Sequence, residues 1–413
     1  MSFSEHYFSR YSNLSTFSAV PPQNNLAAIV VIPCYNDDFI FHTLRSLENT
    51  TKSEYKIEVI VVVNSREGDS KEIVEKNKSI FEELKRQSES FHYERFELLA
   101  ILMENIPRKI AGVGTARKTG MDEAVRRFDS INNPKGIIIS LDADCLVGQN
   151  YFQTIEKTLK ENPQKEGFVF QFQHNFDSKL YSEEEIKACR LYELYLRYYK
   201  LALNMTGFPH CFHTIGSCFA VAASAYTKIG GMSRRQGGED FYFLHKLAQM
   251  TEIEEIAEIL VFPSPRISER VPFGTGPSIK NIVATRAYFV YNFELFLILK
   301  RFFCCIDTFS VDKKLNLSEI PTEIANFVGK ENLLKIFEEC NLNAKQEGKL
   351  KKRLFSKFDA FFVVKFLNSF DKNSFYPTIK IQNAVKLLLN HYSQNSQLSL
   401  TSSQEKDIEL IKQ

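Results

Sequence analysis

This chain has almost no charge of one sign to spare. Its 52 lysines and arginines stand against 50 aspartates and glutamates, a formal surplus of +2, so nucleic acid is not expected as a partner of the whole molecule. Any electrostatic function must be local. Cysteines are few, 8 in all. They lie at 34, 145, 189, 211, 218, 304, 305 and 340 without the dense spacing of a disulfide framework, and reduced thiols in a cytoplasmic protein are the expectation. His210 and His213 neighbour Cys211 and Cys218, but a second ligand pair at zinc spacing is missing. The start, MSFSEHYFSRYSNLSTFSAV, lacks a continuous apolar stretch behind basic residues, so a cleaved secretion signal is not expected. The longest apolar passage, residues 287–305, is broken by Asn292, Glu294, Lys300 and Arg301, which argues against a membrane-spanning helix. No internal repeat is visible.

What is present is the composition of a folded protein, 44% apolar and 25% charged over 413 residues, large enough for one major domain and a smaller one. Apolar β-rich runs at 26–33 (LAAIVVIP), 57–63 (IEVIVVV) and 136–141 (GIIISL) alternate with helical spacings. That alternation predicts βαβ units and a sheet with helices on both faces. Each run ends in polar residues: Asn36-Asp37-Asp38, Asn64-Ser65 and Asp142-Ala143-Asp144. Because ligands of open α/β sheets bind beyond the carboxyl ends of the strands, these three loops should converge. Proline and glycine cluster at 262–278 (FPSPRISERVPFGTGPS), where a boundary is placed. The expected division is an N-terminal extension (1–25), an α/β domain (26–270) and a mainly helical, basic and aromatic region (271–413).

Three motifs carry chemistry. In IIISLDADCL, Asp142 and Asp144 project to one side of an extended chain with Ala143 between them, an arrangement that suits a divalent cation or merely ends a strand in solvent. In Gly237-Gly-Glu-Asp-Phe241 two carboxylates open a helix, as a dipole-favoured pair or as a general base presented from a rigid helix start. In Gly112-Val-Gly-Thr-Ala-Arg117-Lys118 the third glycine of a dinucleotide fingerprint is replaced by arginine, so Rossmann binding is not indicated. Arg117 and Lys118 neutralise phosphate or form a solvated basic turn.

In order and rough spacing, IVVIPCYND, VVVNSREGDS, GTARKTGMDEA, SLDADC and GGEDF resemble the family 2 glycosyltransferases of GT-A fold, over about Leu26 to Arg270. The resemblance implies a mixed α/β sheet and inverting transfer from a nucleotide-diphosphate sugar, a UDP- or GDP-sugar, to an acceptor hydroxyl. It places Pro33, Tyr35 and Asn36 at the nucleoside, Asn64 at the base and Arg117 near the nucleotide. Asp142 would contact ribose or metal, and Asp144 would hold Mg²⁺ or Mn²⁺. Asp240 would deprotonate the acceptor, with Glu239 positioning acceptor or base. The sequence departs from the family at Asn64, where aspartate is usual, and at Lys118, whose added charge suits a more anionic donor.

Arg266 and Arg270, beside the glycine-rich run, read either as a lid over the diphosphate or as linker residues making surface pairs. Ile215-Gly-Ser-Cys218 reads as part of the acceptor side or as a strand turn. Residues 349–372, KLKKRLFSKFDAFFVVKFLNSFDK, carry net +5, with Phe355, Phe358 and Phe362 on one helical face. They read as a basic amphipathic helix making peripheral membrane contact near a lipid-linked acceptor, or as one whose phenylalanines pack on the catalytic domain. The overall expectation is a cytoplasmic, metal-dependent enzyme of cell-surface glycan or glycolipid synthesis, acting on a glycan or lipid-linked acceptor at the inner face of the membrane. The competing readings are a sugar nucleotidyltransferase and a non-catalytic sugar-nucleotide-binding protein.

Overall fold

A computed structural model of the chain describes residues 2–11, 17, 20–268, 274–344, 348–370, 374–394 and 401–412. The described residues fall into two compact units, one within 1–186 and 213–279, the other within 187–212 and 280–413.

The first unit holds strands β1 (Leu26–Cys34), β2 (Lys56–Arg66), β3 (Glu97–Ile106), β4 (Ile137–Ser140), β5 (Leu146–Val147), β6 (Gly167–Phe172), β7 (Phe219–Ala222) and β8 (Ile253–Phe262). Its helices include α1 (Glu5–Tyr11), α2 (Ile40–Glu48), α3 (Lys71–Ser90), α4 (Val113–Ser130) and α5 (Tyr151–Glu161). The long helix α6 (Glu183–Met205), which follows β6 in sequence, belongs mostly to the second unit, whereas α7 (Ala223–Lys228) and α8 (Glu239–Met250) flank the later strands. The strands form one mixed sheet in the order β3-β2-β1-β4-β7-β6-β8-β5. β1, β2, β3 and β4 are mutually parallel, whereas β7 runs antiparallel to β4 and β6.

Successive residues of β1 and β2 point to opposite faces, yet nearly all are buried. Both faces of the central sheet are therefore covered, which is why these strands read as continuous apolar runs. α4 packs on β1 and β2, and a Cβ at Gly120 would collide with Val31 and Val62. Glycine there lets the helix approach the sheet.

The topology places the loops. The chain builds outward from β1 to β2 and β3, then returns to β4 on the other side of β1. The order reverses between β1 and β4, and their carboxyl ends lie on one edge, Val31 pairing with Ser140. Asn36-Asp37 and Asp142-Asp144 thus leave the sheet side by side at a topological switch point. Two further segments arrive there. β7 begins opposite the end of β4, Phe219 beside Ser140, which brings in residues 215–218. β8 ends opposite β5, Phe262 beside Leu146, so residues 263–266 leave beside Asp144.

The N-terminal segment is more than an appendage. Tyr7 of α1 is buried, and its hydroxyl donates to Asp122 at 2.6 Å, with Tyr226 donating to the same oxygen at 2.8 Å. Lys118 is buried against Asp122 at 2.9 Å. Its charge is matched inside α4, which corrects the expectation that it adds a charge for the donor.

Besides most of α6, the second unit takes in the later part of α9 (Thr275–Thr285) and continues through β9 (Phe289–Val290), α10 (Phe293–Asp312), α11 (Thr322–Val328), α12 (Lys330–Leu342), α13 (Lys349–Lys357) and α14 (Ala360–Asn368). It ends with β10 (Ile379–Lys380), α15 (Ile381–Gln394) and α16 (Ser402–Lys412). The region expected as one basic helix is two. Asp359 accepts from the Phe362 N–H at 3.0 Å and caps a new start, as short acidic side chains do. Phe355 packs tilted against Phe303, and Phe358 packs edge-to-face against Phe302 and tilted against Phe337, at centroid distances of 5.4, 4.9 and 5.8 Å. These phenylalanines are core of the helical unit itself. Among the described residues, no helix is long and apolar enough to cross a membrane.

Candidate functional site

The switch-point edge gathers three linked groups of side chains. On the β1–β2 side, Asn36 adopts φ +50°, a left-handed conformation that asparagine tolerates better than most residues. Its N–H donates to Asn77 of α3 at 2.8 Å, and Asn77 donates to the Asn64 carbonyl at 3.0 Å. One buried amide thereby fixes the ends of both strands. Tyr35 donates to Asp69 at 2.9 Å, and Asp69 also accepts from Arg66. Pro33 and Asn64 are buried, whereas Tyr35 and Asn36 are half-buried. Of the four expected nucleoside contacts, these last two have the accessible side chains.

The second group centres on Arg117 of α4, which is 2% exposed. Its guanidinium donates through one terminal nitrogen to Glu239 and through the other to Asp142. Burial alone would disfavour the charge, but Asp142, Glu239 and Asp240 hold it firmly protonated. Glu239 is buried at the start of α8; burial raises its pKa and Arg117 opposes that rise. Asp240, beside it, accepts from the Phe241 N–H at 2.7 Å. Burial first, and repulsion from Glu239 second, push its carboxyl up to about 7, against the pull of Arg117. A carboxyl poised near neutrality is suited to proton transfer.

Gly216 completes this group. A Cβ built there would lie 2.8 Å from Arg117 Nη2 and 3.1 Å from Asp240 Oδ2, so residue 216 is backed directly by the guanidinium and the carboxyl. The structure thus brings the Ile215–Cys218 segment onto the E-D pair. Gly216→Ala is expected to leave a folded protein while displacing Arg117 by a few tenths of an ångström. Turnover should fall about tenfold or more, since small misplacements at a reacting centre are costly. Steady-state kinetics alongside a thermal melt check this; unchanged turnover would remove Gly216 from the site.

The third group joins Arg266 and Asp144 to Asp37, a residue to which the sequence reading gave no role. Arg266, one turn of chain beyond β8, donates to both carboxylate oxygens of Asp37, one of them at 3.0 Å, and to Asp144 Oδ2 at 2.8 Å. Asp37 is 2% exposed. Sequence reasoning assigned Arg266 but overlooked Asp37, whose signal was a second acid directly after the Y-N turn. Arg270 lies outside the described residues. The D-A-D turn itself is held by Thr43, whose hydroxyl donates to the Ala143 carbonyl at 2.8 Å.

Among the described residues, no three His, Cys, Asp or Glu side chains converge as a ready metal cage. A cage is not required for Mg²⁺ or Mn²⁺, which takes one or two carboxylates and completes its shell with water and phosphate oxygens. The donor set fits by chemistry: Asp37, Asp142, Asp144, Glu239 and Asp240 bring carboxylate oxygens to one edge, where Arg117 pairs with Asp142 and Glu239 and Arg266 with Asp37 and Asp144. Carboxylate oxygens of this kind suit a hard dication such as Mg²⁺ or Mn²⁺.

Comparison with known proteins gives one family match: residues 29–230 fit the model described as Glycosyl transferase family 2. No curated protein matches the chain. Among solved structures, the chain is similar at 12% identity to TarS residues 1–349 of S. aureus in complex with UDP-GlcNAc, covering 94% of this chain and 91% of that one, with a TM-score of 0.40. It is likewise similar at 12% identity to the mannosyltransferase PcManGT of Pyrobaculum calidifontis in complex with GDP-Man and Mn²⁺, covering 99% and 89%, with a TM-score of 0.34.

Proposed function

Residues 29–230 make this chain a family 2 glycosyltransferase, and from that premise we propose that it is a metal-dependent, inverting enzyme with Asp240 as its general base. It takes a UDP- or GDP-sugar as donor and a hydroxyl of a glycan or lipid-linked molecule as acceptor. The setting is cell-surface glycan or glycolipid synthesis in the cytoplasm. The observation that carries this reading is the Asp142–Arg117–Glu239 bridge. It ties the D-A-D turn to the helix that presents Asp240, so donor site and base are held by one buried guanidinium.

In this reading Tyr35 and Asn36 contact the nucleoside, and the β1–β4 crevice receives the diphosphate. A bound Mg²⁺ or Mn²⁺, held by Asp144 with Asp142, supplies Lewis-acid stabilisation of the charge that grows on the departing nucleoside diphosphate. Asp240 accepts the acceptor's proton on a carboxylate oxygen as the hydroxyl attacks the anomeric carbon. Attack from the face opposite the leaving group inverts that centre. Glu239, fixed by Arg117, sets the direction of the Asp240 carboxyl and by its charge raises its basicity. Arg266 keeps Asp37 as its anchor, and its remaining donor is available to the diphosphate once Asp144 has another partner.

Calorimetric titration tests the metal assignment. Wild-type protein should bind one UDP- or GDP-sugar in Mn²⁺ and lose that affinity in EDTA, and Asp144→Ala should bind at least about tenfold more weakly, a difference of about 1.4 kcal/mol. Equal binding in EDTA sinks the metal reading.

A further inference from the structure

The helical unit carries a charged face that the catalytic reading does not use. α13 buries Leu350, Leu354 and Phe355, so its apolar side is committed to the core. Its sequence contains five basic residues and no acid. At about 100° per residue, Lys352, Lys349, Arg353 and Lys357 occupy a contiguous arc of about 140° opposite the buried stripe. All four are exposed, and none has an ion pair among the described residues. Lys351 lies apart from them and pairs with Asp307 of α10 at 2.7 Å. A like-charged row held on a packed helix costs self-repulsion that an opposing anionic surface relieves.

Two exposed side chains on the helices packed against α13 indicate what kind of surface. Val311 follows Asp307 by one turn on α10 and is 78% exposed, and Leu342, the last residue of α12, which packs on α13, is 80% exposed. A soluble polyanion offers nothing to exposed aliphatic side chains, whereas an anionic bilayer offers headgroup charge to the arginine and lysines and hydrocarbon to the aliphatics. We propose that the α13 face, together with the exposed Val311 and Leu342 of the helices packed on α13, docks the protein on an anionic lipid membrane. The contact is an electrostatic platform with two shallow aliphatic anchors; it does not insert the phenylalanines, which are core. This inference is independent of the catalytic assignment, because docking needs neither donor nor turnover.

Sedimentation of the full chain with vesicles of phosphatidylcholine, with and without about 30 mole per cent phosphatidylserine, tests it. Wild type should co-sediment with the anionic vesicles at low salt and weaken as the Debye length falls to about 8 Å at physiological salt. Lys352→Glu with Arg353→Glu should reduce partitioning roughly tenfold or more, as should Lys349→Glu with Lys357→Glu, with thermal melts unchanged because all four residues are exposed. Val311→Ser with Leu342→Ser should lower binding most at physiological salt, where the aliphatic part remains. No binding to anionic vesicles at low salt overturns the proposal, as does unchanged binding of either charge-reversed variant. Binding to soluble polyphosphate without binding to vesicles overturns it too, in favour of a polyanion site.

Discussion

Asp240→Asn is expected to reduce transfer by about two to four orders of magnitude, the usual contribution of a positioned general base, while donor affinity in Mn²⁺ stays nearly unchanged. Asparagine preserves size and can still meet the Phe241 N–H, so the loss would be chemical. In the wild-type enzyme, the rate should rise with pH through about 7 as the carboxyl ionises, and the variant should lose that limb. Stability should move the other way. The carboxyl's ordinary value of 3.8 is raised to about 7 in the folded state, so between these values the native protein binds more protons than the unfolded chain. The stabilisation is complete below about pH 4 and is lost as pH rises through 7. An uncharged residue avoids that loss, and Asp240→Asn should be more stable than wild type at pH 8, by an amount on the order of one to a few kcal/mol. Denaturant melts at pH 5 and pH 8 with a pH–rate profile check both halves. A variant with full turnover would remove Asp240 as base, and one less stable at pH 8 would contradict the account of its charge.

Arg117→Met should be the most damaging single change in the catalytic unit. It leaves Glu239, whose side chain is 3% exposed, and Asp142 without their shared cation. Breaking a buried pair from one side costs about 3–5 kcal/mol, because the remaining charge stays desolvated. The cost should be greatest at high pH and shrink as Glu239 protonates, the direction expected for a carboxylate stripped of its cation. Combining Arg117→Met with Glu239→Gln removes both charges and should recover part of the stability, since the pair is coupled. Activity should not return, because nothing then fixes the D-A-D turn against α8. Melts of the single and double variants with donor-binding titrations measure this; a single variant as stable as wild type would contradict the bridge.

The parts legible in sequence were those with local signals. Apolar runs ending in polar residues marked β1, β2 and β4, and the reversal of strand order explains why their ends converge. Gly238 ahead of Glu239 marked the start of α8. The pairings were not legible, because Arg117 meets Glu239 across 122 positions and Arg266 meets Asp37 across 229; only the folded sheet brings them together. β8 escaped notice because its sequence, IEEIAEILVF, is charged and only partly buried, so it shows neither the clean alternation of an amphipathic strand nor the apolar run of a buried one. α1, with 7 residues, is too short to show helical periodicity. The break between α13 and α14 rested on one capping residue, Asp359, inside a run whose apolar spacing continued through it.

The most direct test of the central claim is the identity of the products formed by the wild-type enzyme from the nucleotide sugar it binds best, followed by ³¹P and ¹H NMR in the presence of Mn²⁺. Even with water as a slow acceptor, a nucleoside diphosphate should accumulate together with a sugar whose anomeric proton reports the inverted configuration. Pyrophosphate as the released product, or a sugar that first appears with its configuration retained, would contradict it.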